Sequence, residues 1–305
     1  MEKRLKKPDF FIVGAPKCGT TAMNYYLKQH PEIFMPEVKE IHYFGTDLDF
    51  KFRSERINLN QYISLFSKAH NEKRIGETSV WYLYSKSAAK EIKAFAPSAS
   101  IIIMLRNPVD LLYSLHSQFV YEGNEDILDF KEALNAEEYR KQGKKIPPTA
   151  YLPKTLFYRE VVKFSGQITR YLNLFGRKNI HFIIFDDLLR EPREVYRAIL
   201  HFLGVKEDFE IDFNTINPNK KLISPKLQRL LIRPPQSFIH YGKYLKIPKN
   251  LQNWIIKMLT KMNTIYKKRP PMDHILRIQL QKEFSHEVEQ LSELVGRDLT
   301  HWVKN

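Results

Sequence analysis

The chain has 305 residues, of which 43% are apolar, so it can bury a sizeable core. Its single cysteine excludes an intrachain disulfide. The basic N-terminus lacks the apolar core of a signal peptide, and no run approaches the roughly 18 apolar residues that span a bilayer. We therefore expect a cytoplasmic protein with a single domain over residues 1–305.

The positive charge of the chain is unevenly distributed. The net charge is +15, and residues 213–272 contain 13 Lys or Arg and no Asp or Glu. Such a block attracts an anionic surface, which could be nucleic acid, an acidic glycan or anionic lipid, or it forms a solvated face. Its aromatic residues follow no recognisable nucleic-acid-binding module, so we predict no nucleic-acid partner.

Strand-like and helix-like segments alternate along the chain. Apolar β-branched runs predict strands at residues 10–14, 74–80, 100–105 and 179–185. Helical patterns lie at residues 20–29, 85–95, 108–121, 157–175 and 192–203. The alternation predicts a three-layer α/β fold with a central, mostly parallel sheet flanked by helices. Residues 222–305 are expected to form a helical, basic C-terminal cover, and residues 123–149 a mobile surface insertion.

The stretch FFIVGAPKCGTTAMNYYL, residues 10–27, is close to a phosphate-binding P-loop but departs from it at one position. The P-loop reads GxxxxGK[ST]; here Gly14 and Gly19 have that spacing, but Thr20 replaces the lysine and Lys17 lies inside the loop. A strand–loop–helix turn directs backbone N–H groups and the positive end of a helix at one place. The stretch predicts an anion site in a P-loop-like fold, and Thr20 argues against a nucleotide kinase.

A second anion-binding element follows the strand predicted at residues 100–105. Arg106 comes directly after this strand, and Ser114 lies about two turns into the next helix. Because ligands of open α/β sheets bind beyond the carboxyl ends of the strands, Arg106 is expected to face the same crevice as the Lys17 loop. The two elements together predict a ligand with two separate anionic groups.

These elements resemble the phosphate-binding signatures of sulfotransferases that use 3′-phosphoadenosine 5′-phosphosulfate (PAPS). GAPKCGTT and LRNPVDLLYS carry the resemblance, and KEIHYF and GETSVWYL are similar to segments of the bacterial and heparan-sulfate-type branch. The resemblance implies that PAPS is the sulfuryl donor and adenosine 3′,5′-bisphosphate (PAP) the product, with no metal ion. It also implies that the first loop binds the 5′-phosphosulfate, while Arg106 and Ser114 bind the 3′-phosphate.

The resemblance assigns roles to individual residues as well. Lys17 is expected to neutralise the leaving phosphate, Glu40 to be the catalytic base, and His42 to be its polar partner or the alternative base. The donor-binding residues implied by similarity are Lys17, Cys18, Gly19, Thr20, Thr21, Arg106, Ser114, Lys268 and Arg269. Cys18 is interpreted as a small filler of the loop.

Two expectations concern the surroundings of the base. If KEIHYF is extended, Glu40, His42 and Phe44 point to the same face of a strand. Glu77 stands where heparan-type enzymes have a lysine that faces their anionic glycan. The resemblance therefore argues against a heparin-like acceptor.

The sequence leaves the acceptor open. We expect a hydroxyl group on a glycan, a glycolipid or a lipid-linked intermediate. A small-molecule alcohol or amine is the alternative acceptor. The alternative from a different class of enzyme is a P-loop nucleotide kinase.

The acid-free stretch contains one amphipathic helical pattern. Its apolar face is formed by Trp254, Ile255, Met258, Leu259 and Met262, with lysines beside it. A basic helix of this kind is typical of an interfacial helix on a membrane, although the same stripe is also typical of a helix packed on an α/β core. We therefore expect peripheral contact with an anionic membrane, with core packing as the alternative.

Overall fold

The computed structural model of the protein describes residues 6–51, 56–213, 220–232, 248–266 and 269–304. The chain divides into two compact units. The first comprises Met1–Leu111, Val161–Asn217 and Ile278–Asn305, and the second comprises Leu112–Glu160 and Pro218–Arg277. The expectation that residues 1–305 form one sulfotransferase domain is not tested by this division and stays a prediction.

A parallel five-stranded sheet organises the first unit. Its strands are β1 (Phe10–Gly14), β2 (Ile33–Phe34), β3 (Arg74–Thr78), β4 (Ser100–Leu105) and β5 (Ile180–Ile184). They lie in the order β2-β3-β1-β4-β5, and every neighbouring pair is parallel. All of β1 and all but the first residue of β4 are buried, as expected for strands covered on both faces. This confirms the predicted α/β fold; the two-residue β2 was not predicted.

Helices follow and flank these strands. In chain order the described α-helices are α1 (Thr20–Lys28), α2 (Leu59–Ser64), α3 (Ala88–Phe95), α4 (Pro108–Tyr121), α5 (Phe130–Asn135), α6 (Glu137–Lys141), α7 (Tyr158–Val161), α8 (Phe164–Phe175), α9 (Phe185–Arg190), α10 (Pro192–Leu203), α11 (Pro225–Ile232), α12 (Lys249–Met262), α13 (His274–Glu283) and α14 (Ser285–Val295). α4 and α10 have the predicted bounds. The helix predicted over residues 157–175 is instead divided into α7 and α8.

The sequence specifies α10 because its end signals and its periodicity agree. Pro192 occupies the first turn, where a missing backbone N–H costs nothing, and Gly204 follows the last turn in a left-handed conformation. The buried residues of this helix recur every three to four positions, at Tyr196, Ile199, Leu200 and Leu203. This spacing gives one apolar face, and α10 contacts β5 in the sheet.

The segment at residues 123–149, in the second unit, is not the mobile surface insertion that its charges suggested. It contains α5 and α6, and Glu125 forms an ion pair with Arg140, 2.7 Å apart, with both side chains fully buried. The hydroxyl of Tyr158 donates to the other oxygen of Glu125 at 2.9 Å. The charged residues of this segment therefore include an internal, mutually neutralised pair that sequence composition cannot distinguish from surface charge.

The later part of the second unit combines a small sheet with helices. β6 (Lys220–Leu222) pairs antiparallel with β7 (Thr264–Tyr266), and α11 and α12 lie between them in sequence. The side-chain amide of Asn263 donates to the backbone carbonyl of Ser224 at 2.9 Å. Its oxygen accepts the backbone N–H of Ser224 at 2.8 Å. The helical character predicted from residue 222 onward is present in the described ranges, whereas the β6–β7 pair was not predicted.

The described ranges contain neither a membrane-spanning helix nor a grouping of metal-ligating side chains. None of the helices there is long and apolar enough to cross a membrane. In the same ranges, no three His, Cys, Asp or Glu side chains are grouped so that they could hold a metal ion.

Candidate active site

The loop between β1 and α1 has the features of an anion site. Lys17 and Gly19 both have left-handed backbones, with φ of 63° and 85°. No side chain caps the start of α1, and its first turn carries no acidic residue. The N–H groups and the positive end of the helix dipole are therefore directed at the loop, and an anionic group fits there.

Gly19 is required by both its backbone and its neighbours. A Cβ atom at this position would lie 2.7 Å from Cδ2 of Leu188 and 3.2 Å from the ring of Phe185. Both neighbours belong to α9, so the start of α1 lies directly against that helix. A side chain here would displace α9 or the loop, and it would also be strained by the positive φ.

Arg106 lies at the same loop, as its place after β4 predicted. Its Nη1 donates to the backbone carbonyl of Lys17 at 3.1 Å. The guanidinium group also lies over the ring of Phe185, 4.6 Å from the centroid. Because β1 and β4 are neighbours in the parallel sheet, their carboxyl ends meet, and this brings the two cationic residues together.

Cys18 is enclosed within the loop. Its Sγ donates to the carbonyl of Pro16 at 3.4 Å, and burial raises the pKa of the thiol to about 12. The thiol is therefore protonated at neutral pH and is not a nucleophile. Its environment agrees with the interpretation of Cys18 as a small filler.

Glu40 and His42 do come together, but not through an extended strand. Both have left-handed backbones, with φ of 59° and 48°, and Oε2 of Glu40 lies 3.3 Å from Nε2 of His42. The expected alternation along KEIHYF is therefore wrong: two backbone positions with positive φ, rather than the pleat of a strand, produce the contact. The backbone N–H of Val80 donates to the same Glu40 oxygen at 2.9 Å.

Lys39 connects the segment that carries Glu40 and His42, called here the Glu40–His42 loop, to the loop between β1 and α1, called here the anion loop. Lys39 was not among the site residues predicted from the sequence. Its ammonium lies 2.5 Å from Oε1 of Glu40 and 3.5 Å from the hydroxyl of Thr20. Thr20 is buried at the start of α1, and the adjacent Thr21 is half-buried. The position of Lys39 next to Glu40 was the available signal, but an extended strand would place neighbouring side chains on opposite faces.

Glu40 is more accessible than His42. The side chain of Glu40 is 31% exposed, while that of His42 is 9% exposed and stacks on Phe50 with ring centroids 4.8 Å apart. An incoming hydroxyl group can therefore approach the carboxylate more easily than the imidazole.

Glu77 is fully buried behind this loop. Its carboxylate accepts hydrogen bonds from the hydroxyls of Ser79 at 2.8 Å, Tyr82 at 2.7 Å and Tyr62. Burial raises the pKa of Glu77 to about 7, partly offset by these hydrogen bonds. The Glu77 side chain therefore faces three buried hydroxyls, and the expectation that it argues against a heparin-like acceptor stays a prediction.

Ser114 and Arg269 belong to the second unit, where they contact each other. Nη2 of Arg269 donates to Oγ of Ser114 at 3.3 Å, and its guanidinium lies over the ring of Tyr113, 5.0 Å from the centroid. The hydroxyl of Tyr113 in turn donates to the carbonyl of Pro270 at 3.1 Å. Lys268, which was expected to act with Arg269, lies outside the described residues.

The chain belongs to the sulfotransferase family, since the family model described as sulfotransferase domain matches residues 7–221. Among solved structures, the chain is similar to the crystal structure of a sulfotransferase from Alicyclobacillus acidocaldarius, with a TM-score of 0.72 and 30% identity over 98% of this chain and 100% of that chain. This confirms the family and the fold that the sequence predicted.

Curated relatives share only part of their length with this chain. Carbohydrate sulfotransferase 15 of Mus musculus is 32% identical over 167 residues, which cover 42% of this chain and 30% of the relative. Bifunctional heparan sulfate N-deacetylase/N-sulfotransferase 4 of Mus musculus is 28% identical over 223 residues, which cover 70% of this chain and 24% of the relative. The chain thus spans less than a third of the length of either relative.

Proposed function

We propose that the protein transfers a sulfuryl group from PAPS to a hydroxyl group of an acceptor and releases PAP. One observation carries the proposal: the ammonium of Lys39 contacts both the Glu40 carboxylate and the Thr20 hydroxyl. A candidate base is thereby linked to the loop that has the features of an anion site. Transfer needs this pairing, because the acceptor must lose a proton while the donor gains negative charge on its leaving phosphate.

The reaction can be written with these groups alone. The acceptor oxygen forms a bond to sulfur, the bond between sulfur and the bridging oxygen of the 5′-phosphate breaks, and the acceptor proton passes to the base. Lys17 and the N–H groups at the start of α1 stabilise the charge that develops on the leaving phosphate. A sulfuryl group carries less charge than a terminal phosphoryl group, so no metal ion is required.

Glu40 is the base in this proposal, and His42 is its partner. The greater exposure of Glu40 supports this order, and the 3.3 Å contact gives His42 a role in orienting the carboxylate. His42 remains the alternative base. Arg106 is proposed to bind the 3′-phosphate, because a guanidinium group can bind a phosphate through two hydrogen bonds. Ser114 and Arg269 stay predictions as donor contacts, and so does Lys268.

The acceptor is proposed to be a carbohydrate hydroxyl, free or lipid-linked. Similarity to a carbohydrate sulfotransferase and to a heparan sulfate N-deacetylase/N-sulfotransferase supports a carbohydrate as the acceptor, although the name of the second relative refers to transfer to nitrogen rather than to a hydroxyl. A small-molecule alcohol or amine is the alternative. Incubating the protein with isotopically labelled PAPS and a panel of glycans, glycolipids and small alcohols will identify the acceptor by transfer of label.

Ligand-dependent melting tests the donor. At 100 times its dissociation constant, a ligand stabilises the folded state by about 2.7 kcal/mol. PAP should therefore raise the melting temperature by several degrees, whereas ATP with Mg²⁺ and a single-stranded oligonucleotide should leave it unchanged. Stabilisation by ATP with Mg²⁺ but not by PAP would contradict the sulfotransferase proposal and favour a kinase.

We further propose that α12 places the enzyme on an anionic membrane surface. Leu251, Trp254, Met258 and Met262 recur along one side of this helix and are exposed by 46%, 59%, 39% and 66%. Ile255 and Leu259 of the predicted apolar face are half-buried, so the face is only partly covered. Exposed lysines at positions 257 and 261 lie beside the stripe, and no acid occurs between residues 213 and 272. An anionic bilayer complements both the stripe and the charge.

Sedimentation with liposomes tests the membrane proposal. Binding should require anionic lipid and weaken with salt, because surface attraction is screened over about 8 Å at physiological ionic strength. The double variant Lys257→Gln, Lys261→Gln should bind less than the control Lys131→Gln, Lys144→Gln, which removes the same charge from exposed positions outside α12. Equal loss in both variants, or binding to neutral vesicles alone, would contradict a specific role for this face.

A further inference from the structure

A buried carboxylate with three hydroxyl partners lies behind the Glu40–His42 loop. Glu77 is near the end of β3 and is 1% exposed. Tyr62 reaches it from α2, and Ser79 and Tyr82 reach it from the segment that follows β3. Burying a carboxylate is costly, so a buried carboxylate is expected to have a role. The proposed reaction does not use Glu77 directly.

The ionised carboxylate determines where the three hydroxyl protons point. A carboxylate only accepts hydrogen bonds, so each hydroxyl must donate its one proton to Glu77. The hydroxyl oxygens of Ser79 and Tyr82 then have lone pairs on the side away from Glu77, where they can accept hydrogen bonds. Oγ of Ser79 accepts the backbone N–H of His42 at 3.0 Å, and the hydroxyl of Tyr82 accepts the backbone N–H of Phe44 at 3.3 Å.

We propose that Glu77 is a positioning residue that holds the Glu40–His42 loop in its left-handed conformation through the hydroxyls of Ser79 and Tyr82. The inference rests on the proposed function, since the loop carries the candidate base. A backbone with positive φ at two nearby positions is strained and needs such external support. Fixed hydroxyl acceptors supply it by satisfying two loop N–H groups in a defined direction.

Protonation of Glu77 changes this support. A protonated carboxyl group has its own hydrogen to donate, so one of the three hydroxyls must accept it and turn its own proton away; where that hydroxyl belongs to Ser79 or Tyr82, the loop loses a fixed acceptor. The groups that face Glu77 are Tyr62, Ser79, Tyr82 and the nearby Glu40, whose negative charge favours protonation. Tyr43 stacks on Tyr62 and His42 meets Tyr82 edge-on. Since the pKa of Glu77 is raised to about 7, the loop should be held best at mildly alkaline pH.

A matched pair of tyrosine variants separates this role from general stability. Tyr62→Phe and Tyr82→Phe each remove one hydrogen bond to Glu77, but only Tyr82→Phe also removes the acceptor of the Phe44 N–H. Tyr82→Phe, Ser79→Ala and Glu77→Gln should each lower kcat at least about tenfold with the affinity for PAP unchanged. Tyr62→Phe should lower kcat by less than about threefold. Equal losses for the two tyrosine variants would overturn the proposal.

Amide hydrogen exchange gives a readout that needs no activity. At pH 8, exchange at His42 and Phe44 should be faster in Glu77→Gln than in the wild type, while exchange at Phe11 in β1 should be unchanged. Lowering the pH through 7 should reduce kcat of the wild type more than that of Glu77→Gln. Unchanged exchange at His42 and Phe44 would overturn the proposal. Faster exchange in a protein that transfers no sulfuryl group would support the positioning role and contradict the proposed function alone.

Discussion

Nε2 of His42 lies 3.3 Å from Oε2 of Glu40, and both residues reach this contact through backbones with positive φ. Among the described residues, the non-glycine positions with positive φ are Lys17, Glu40, His42 and Lys145. The first three are the residues for which the sequence predicted a catalytic role. Such conformations cost about 1–3 kcal/mol each and concentrate at functional sites. Their coincidence here supports the proposed site independently of the family resemblance.

Replacing the proposed base tests this pair. Glu40→Gln should lower kcat at least about a hundredfold, because the amide cannot take the acceptor proton, while the affinity for PAP stays unchanged. His42→Ala should have a smaller effect, since it removes only the partner of Glu40. Steady-state kinetics and PAP titration measure both quantities. A crippled His42→Ala beside an active Glu40→Gln would instead identify His42 as the base.

Substitutions of Lys17 and Arg106, the two cations at the anion loop, should have separable effects. Lys17→Ala should lower kcat at least about a hundredfold, since it removes the charge beside the leaving phosphate. Arg106→Ala should chiefly weaken PAP binding. Because Arg106 also donates to the Lys17 carbonyl, kcat of this variant should fall modestly even at saturating donor. Arg106→Lys retains the charge and tests the planar geometry of the guanidinium. Wild-type behaviour of both alanine variants would contradict the site.

A pair of glycine variants tests whether close packing at Gly19 matters for PAP binding. Gly19 and Gly143 both have positive φ, 85° and 78°, but a Cβ at Gly143 would meet nothing within 4 Å. Both alanine variants should lose about 1–2 kcal/mol of stability through backbone strain. Only Gly19→Ala should also weaken PAP binding, at least about tenfold, because its Cβ would displace Leu188 or the loop. Calorimetric titration with PAP measures the difference, and equal affinities would contradict it.

The pKa of Glu77 predicts a pH dependence of stability. Its folded-state value is raised from 4.5 to about 7, so the native state binds a proton more tightly than the unfolded state. The stability that this group contributes is fully present below about pH 4.5 and is lost as the pH rises to about 7. At about 1.4 kcal/mol per pH unit, the loss is about 3 kcal/mol. Urea unfolding of the wild type and Glu77→Gln between pH 5 and 8 should show this loss of unfolding free energy in the wild type only.

The buried ion pair of the second unit should be costly to break. Arg140→Met leaves Glu125 buried without its cation, and we expect a loss of about 3–5 kcal/mol in the free energy of unfolding. Lys28→Met breaks the exposed pair with Glu37 and should cost less than about 1 kcal/mol. Urea unfolding of the two variants gives the comparison. Similar losses would show that burial of the Arg140 pair is not what determines its contribution.

Much of the loop between β1 and α1 followed from the sequence because its determinants are local. The apolar run of β1, the spacing of Gly14 and Gly19 and the position of Lys17 specify a strand–loop–helix turn by short-range rules. The placement of Arg106 followed as well, because parallel neighbouring strands end at the same edge of a sheet. α4 and α10 were predicted with their observed bounds because the proline at the start of each helix agrees with the helical periodicity that follows.

The surroundings of the base were decided only by the tertiary structure. Alternation along KEIHYF favoured a strand, but the segment is not a strand in the structure and is instead hydrogen-bonded to Thr78, Ser79 and Val80, nearly forty residues away in sequence. Glu77 and the Glu125–Arg140 pair look like surface charges in the sequence and are fully buried in the structure. Local propensity and periodicity identify elements and loops, but the burial and pairing of a charge depend on which distant segments pack around it. For this reason the sequence alone determined the family and the strand–loop–helix turn that contains Lys17, and the tertiary structure determined how the candidate base is supported.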